Sequence, residues 1–124
     1  MPDVIATLYK VGEVISVTGD RSTITIDAAF QDAMLGIETM EYLDILFWIP
    51  LSRDVLQVHP RMDMDKPLRG VFSTRSPVRP NTIGVTRVRL VSREGLTIVV
   101  EGLDAFEGTA IIDIKEGGGT RHAI

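Results

Sequence analysis

Residues 84–101 read GVTRVRLVSREGLTIVVE. Both ends of this stretch alternate with the two-residue period of a β-strand. In residues 84–92, Arg87 and Arg89 share one face, opposite Thr86, Val88 and Leu90. In residues 96–101, Leu96, Ile98 and Val100 share a face. Between them Ser92-Arg93-Glu94-Gly95 is predicted as a hairpin loop, with the glycine supplying a positive φ.

The rest of the chain continues in short strands. Residues 8–17 are rich in β-branched side chains, Asp20 lies in a turn, and residues 22–27 (STITID) set Ile24 and Ile26 on one face. Asp27 can cap a short helix whose apolar stripe is Phe30, Ala33, Met34 and Ile37. Residues 41–50 (EYLDILFWIP) form a nearly continuous apolar run suited to a central strand buried on both faces. Residues 51–68 read mainly as loop, with a short strand near 55–58, and residues 69–74 as another. A last strand is expected over 109–115, with Ala110, Ile112 and Ile114 facing one way and Asp113 and Lys115 the other. Six to eight strands and one helix predict an all-β fold: a small β-barrel with one short helix. A single domain is expected over residues 1–124, with residues 117–124 as a flexible tail.

The 124 residues suffice for one core. Cysteine is absent, so disulfides, thiolate metal sites and cysteine nucleophiles are excluded. His59 and His122 stand far apart, no nucleophile elbow or phosphate-binding glycine loop is present, and no metal is expected. The longest apolar run is too short to span a membrane, so no membrane association and a cytoplasmic location are expected. Net charge is −4, but residues 61–93 hold eight Lys/Arg against two Asp, a local +6. That block is either a solvated strand face or a surface for an anionic ligand or RNA.

Within the block lies STRSPVRPNTIG, residues 73–84. Pro77 and Pro80 fix their own φ and push Ser76 and Arg79 into extended geometry, making a stiff rod between strands. A preorganised loop loses less entropy on capturing a ligand. Arg75 and Arg79 offer donor forks for a carboxylate or phosphate, and Asn81 offers both a donor and an acceptor. Two plainer readings are a PxxP docking peptide and a structural connection with solvated arginines.

The stretch GVFSTRSPVRPNTIGVTRVRL, residues 70–90, resembles the hallmark of the TsaA-like family, also called TrmO, whose usual form is GxFATRSPxRPNPIG. GLDAFEGTAIIDIK, residues 102–115, resembles its second hallmark. VGEVIS, AMLGIETMEYLDILFW and VHPR are weaker echoes in the first half. Departures include Thr82 and Ala110 in place of prolines and Glu107 in place of an aspartate. Met40-Glu41-Tyr42 stand in place of Phe-Ser-His, and Pro50 in place of a histidine.

The resemblance implies a small β-barrel that forms a homodimer and binds S-adenosyl-L-methionine. The implied activity is an S-adenosylmethionine-dependent methyltransferase acting on the exocyclic nitrogen of threonylcarbamoyl-adenosine in tRNA. The alternative is a non-catalytic S-adenosylmethionine-binding or regulatory module. By matching position, Thr74, Arg75, Ser76, Pro77, Arg79, Pro80, Asn81, Ile83 and Gly84 correspond to one wall of the cofactor site. Leu103, Asp104, Gly108, Thr109, Ile112, Asp113, Ile114 and Lys115 correspond to the other. The chemistry agrees: the methionine end needs a cation and an anion, which the arginines and Asp113 supply, and adenine needs amide-like partners such as Asn81. No catalytic residue is assigned. Arg61, Lys66, Arg87 and Arg89 are the candidate RNA contacts.

Overall fold

The computed structural model describes residues 2–118; residues 119–124, most of the expected tail and with them His122, lie outside the described residues. Eight strands occur: β1 (Gly12–Thr18), β2 (Arg21–Ile26), β3 (Tyr42–Trp48), β4 (Gln57–Val58), β5 (Arg69–Gly70), β6 (Ile83–Glu94), β7 (Thr97–Glu101) and β8 (Ala110–Glu116). Six of them close into a barrel in the order β1-β2-β7-β6-β3-β8, every neighbouring pair antiparallel. Strands β4 and β5 pair separately, as a small excursion beside it.

The alternation in the sequence becomes the barrel wall. Ile24, Leu43, Ile45, Val88, Ile98, Val100 and Ile111 are fully buried inside, while Arg87 and Arg89 stand outside. Burying an aliphatic side chain of this size contributes roughly 1.5–3 kcal/mol. Closure is the thinnest seam: β1 meets β8 only through Gly12↔Ile111 and Glu13↔Ala110. Backbone bonds from Val11 N to Ile111 O (2.8 Å) and from Val14 N to Thr109 O (3.0 Å) reinforce it.

Asp27 caps as its position suggests, its Oδ1 accepting from Ala29 N at 2.9 Å. The helix it starts, Ala28–Met34, is a 3₁₀ helix that drops Met34 into the core.

Several local expectations shift, each for a physical reason. The first strand begins at Gly12 rather than residue 8, and residues 2–10 run exposed outside the sheet, Tyr9 touching Phe30 at a 6.3 Å ring separation. Strand β3 is buried on one face only, its outward Asp44, Leu46 and Trp48 being half-buried, because a closed barrel has a single interior. Residues 69–74 hold only two strand residues before a 3₁₀ turn at Val71–Ser73. The hairpin is tighter than expected: Glu94 pairs with Thr97, so Gly95 (φ 61°) and Leu96 alone make the turn. In β8 the register slips opposite Leu46 and Phe47, leaving Ile112 as an extra residue. That bulge reverses the phase of the first half of the strand, so Ile111, not Ile112, enters the core. Gly117, the first residue of the expected tail, is buried and donates its N–H to Tyr42 O at 3.0 Å.

Candidate functional site

At the Trp48 end of β3 the barrel wall carries an open cavity of about 760 Å³. That volume lies within the range of small-molecule sites, about 300–1,000 Å³. Three segments build it. The end of β3 and its continuation supply Phe47, Trp48, Ile49, Pro50 and Leu51 as an apolar wall. The proline-stiffened loop and the start of β6 supply Thr74, Arg75, Pro77, Arg79, Asn81, Ile83, Gly84, Val85 and Thr86. The β7–β8 connection supplies Asp104, Ala105, Phe106 and Thr109.

Strand pairing is what brings the first two segments together. Phe47 pairs with Gly84 and Trp48 with Ile83, and Ile49 N donates to Thr82 O at 2.8 Å just beyond. The loop itself is tied internally. Thr74 Oγ1 donates to Val71 O (2.9 Å) and accepts from Ser76 N (3.1 Å). The guanidinium of Arg79 turns back, its Nη1 donating to the carbonyls of Thr74 and Ser76, both at 3.2 Å. One nitrogen of its fork is therefore spent on holding the loop. Arg75 has no protein partner among the described residues and stands exposed in the cavity lining. Asp104, on the β7–β8 connection in the same lining, is likewise exposed and without a partner among the described residues. One free cation and one free anion thus share a cleft with an aromatic and aliphatic wall.

The two expected walls are placed unequally. Thr74, Arg75, Pro77, Arg79, Asn81, Ile83, Gly84, Asp104 and Thr109 line this cavity. Ser76, Pro80, Leu103, Gly108 and Ile112 do not, though Ser76, Pro80, Leu103 and Gly108 flank residues that do. Asp113, Ile114 and Lys115 border a second cavity of about 450 Å³, with Met34, Ile37 and Leu43. There the Asp113 carboxylate accepts from Ile114 N at 2.9 Å and pairs with Lys115 Nζ at 3.1 Å. Within this chain, then, the anion that shares a cavity lining with Arg75 is Asp104. The residues that sequence reasoning passed over are mainly Trp48 to Leu51 and Phe106. The apolar run 45–51 reads as core, and only the pairing of β3 with β6 reveals that its end leaves the core and faces the loop.

Outside the loop, the basic block divides into three. Arg87 and Arg89 lie on the outer barrel wall in ion pairs, Arg87 with Asp44 (3.7 Å) and Arg89 with Glu101 (3.0 Å). Glu101 also takes Arg21 at 3.1 Å. The Arg89 hydrogen bond, with help from Arg21, holds the Glu101 carboxyl below its ordinary value. Arg93 bridges Met34 O (3.0 Å) and Glu38 Oε2 (2.7 Å), fastening the 3₁₀ segment to the barrel. Glu38 is lowered too, first by a hydrogen bond from its own backbone and then by Arg93. Arg61 and Lys66 sit exposed on the excursion between β4 and β5. His59 serves that excursion as a clasp, its Nδ1 lying 2.8 Å from Lys66 O.

A family model described as the tRNA-methyltransferase O N-terminal domain matches residues 13–116. The chain belongs to the TrmO family. Its relatives include a probable S-adenosyl-L-methionine-binding protein of Archaeoglobus fulgidus, 44% identical over 82% of this chain and 27% of that protein. The human tRNA (adenine(37)-N6)-methyltransferase is 39% identical over 68% of this chain and 20% of its own length. The crystal structure of TrmO from P. aeruginosa superposes with a TM-score of 0.72 at 23% identity, covering 94% of this chain and 57% of that one. That likeness establishes the fold. The chain spans about a quarter of the A. fulgidus relative and just over half of the solved TrmO chain. The family match takes in all three segments of the cavity, and the exposed arm of residues 2–10 lies outside it. Among the described residues of this TrmO-family chain, no helix is long and apolar enough to cross a membrane.

Proposed function

We propose that this TrmO-family chain forms one domain that acts as an S-adenosylmethionine-dependent tRNA methyltransferase, with the cofactor in the 760 Å³ cavity. The observation that carries this reading is the presence of unengaged Arg75 and unengaged Asp104 in one cavity lining with the Phe47–Leu51 wall. The amino-acid end of the cofactor carries a carboxylate and an ammonium, and a cation and an anion in one cleft suit both. Its purine needs an apolar surface and an amide-like partner, which Trp48 and Asn81 provide. When bound, the cofactor supplies an electrophilic methyl group on a sulfonium.

The chain's own contribution is positioning and the exclusion of water. Pro77, Pro80 and the Arg79 hydrogen bonds hold the loop in a fixed shape before a ligand arrives. Phe47, Trp48 and Ile49 keep one side of the cleft dry. Aligning a nucleophile with an electrophile in this way supplies rate without a dedicated base.

The acceptor we propose is the exocyclic nitrogen of threonylcarbamoyl-adenosine, with the basic excursion, Arg61 and Lys66, as the phosphate contact and the cytoplasm as the setting. Arg87 and Arg89 are weaker candidates, since Asp44 and Glu101 already engage them. A homodimer belongs to the same reading: Phe106, 89% exposed on the cavity rim, is the apolar surface a second copy would cover.

A second reading, a binding module without catalysis, is favoured by one observation. Among the described residues, the cavity lining holds no histidine or tyrosine, and Asp104 is its one carboxylate. Incubating the protein with tRNA and methyl-labelled cofactor, followed by nucleoside mass analysis, separates the two. A methylated threonylcarbamoyl-adenosine supports the enzyme; tight cofactor binding with unmodified tRNA supports the module.

A further inference from the structure

Arg53, on the irregular segment between β3 and β4, belongs to neither hallmark and is not among the lining residues, yet it contacts residues of two cavity walls. Its Nε donates to Pro80 O at 2.7 Å and its Nη2 donates to Asn81 Oδ1 at 3.0 Å. Its guanidinium carbon lies 5.8 Å from the centroid of the Trp48 ring. The two prongs grip consecutive residues of the stiff loop, while the same cationic group lies over the Trp48 ring of the aromatic wall.

A free asparagine amide is ambivalent, with an acceptor on one side and a donor on the other. A guanidinium has donors only, so the Asn81 atom facing Arg53 is necessarily the oxygen, and the orientation follows from chemistry. The other oxygen of Asn81, its backbone carbonyl, is also taken, accepting from Ile83 N at 2.7 Å. What remains is the Nδ2 amide, which has no protein acceptor among the described residues, on a residue that lines the cavity.

We propose that Arg53 is a positioning residue of this cavity: it locks Asn81 as a hydrogen-bond donor, so that the site selects a ligand atom that accepts, a purine ring nitrogen or a carboxylate oxygen. The proposal rests on the cavity being the S-adenosylmethionine site, and it adds the polarity of one contact and the residue that sets it. Arg53 itself touches no ligand. Its effect passes through Asn81.

The test combines a free-protein measurement with a binding cycle. In the ligand-free protein, the side-chain amide signal of Asn81 in a ¹⁵N NMR spectrum moves on Arg53→Ala. An unmoved signal overturns the proposal without any ligand being needed. For binding, S-adenosylmethionine and 5′-methylthioadenosine, which lacks the carboxylate, are titrated into wild type, R53A, N81A, N81D and R53A/N81A. R53A and N81A each weaken S-adenosylmethionine roughly tenfold, the equivalent of one lost hydrogen bond. The double variant is no weaker than N81A, within about twofold, because Arg53 has nothing left to act through. N81D keeps an oxygen toward Arg53 and folds at least as stably as wild type, yet it binds as poorly as N81A. A loss shared by both ligands places the acceptor on the purine, and a loss confined to S-adenosylmethionine places it on the carboxylate. Additive losses in R53A/N81A, or wild-type affinity in N81D, overturn the proposal. A wild type that binds neither ligand removes the cofactor reading instead, while the amide signal still decides the Arg53–Asn81 claim.

Discussion

Gly84 faces the ring of Phe47 so closely that a Cβ on it would lie 2.5 Å from both Cε2 and Cζ. The two are directly paired across β3 and β6, and both line the cavity. Glycine at this position is therefore set by the neighbouring ring and not by any turn. Gly84→Ala forces the Phe47 ring aside in a packed wall, at a cost of about 1–3 kcal/mol. Urea unfolding is expected to show that loss, together with weakened ligand binding as the displaced ring enters the cleft.

Thr82 stands where the family's hallmark has proline, and it is completely buried with its hydroxyl unpartnered. An unsatisfied buried hydroxyl costs about 1–3 kcal/mol. Thr82→Val keeps the shape and removes the hydroxyl, so stability is expected to rise by about 1 kcal/mol, or a melting temperature about 4 °C higher. A calorimetric scan checks this, and an unchanged or lower melting temperature means the hydroxyl has a partner.

The two arginines of the stiff loop are expected to separate by stability. Arg79 holds the carbonyls of Thr74 and Ser76, whereas Arg75 holds nothing among the described residues. Arg79→Ala should therefore lower stability by about 1 kcal/mol, and Arg75→Ala should stay within about 0.5 kcal/mol of wild type. Chemical denaturation of the two variants side by side measures the difference.

The outer-wall cluster gives a pH dependence of definite sign. Arg89 and Arg21 hold the Glu101 carboxyl below its ordinary value in the folded state. A depressed carboxylate contributes stability that is present above the unfolded-state value and lost as pH falls through the folded one. Glu101→Gln is therefore expected to be less stable than wild type at neutral pH, with the gap closing as acid protonates the wild-type carboxylate. Melting temperatures measured from pH 7 down to about pH 3 follow that convergence.

How much of this was legible in the sequence varies with the length scale of the cause. The inward faces of β2, β6 and β7 follow from a two-residue period, and Ile24, Val88, Ile98 and Val100 are all buried as that period requires. The bulge at Ile112 is invisible to the same reasoning, because it depends on the register with Leu46 and Phe47 sixty-odd residues away. The stiff loop with Arg75 and Asn81 was readable from its prolines, but its partner wall was only half so. Asp104 and Thr109 face it, while Asp113 and Lys115, a few residues on, pair with each other at the second cavity. Trp48 and Arg53 left no local signature at all. Their roles arise from strand pairing and from one long side chain reaching across 27 and 28 residues to Pro80 and Asn81. The +6 block likewise reads as one surface in sequence, yet in space it divides into paired wall, loop cation and exposed excursion.

The central claim is that the cleft between Arg75 and Asp104 is the S-adenosylmethionine site. Calorimetric titration of S-adenosylmethionine into wild type and Arg75→Ala tests it most directly. Saturable binding at one site per chain, weakened roughly tenfold or more in the variant, is the expected result, since hydrogen bonds to a charged group are worth about 1.5–3 kcal/mol. No binding to wild type, or equal affinity in both proteins, would contradict the account.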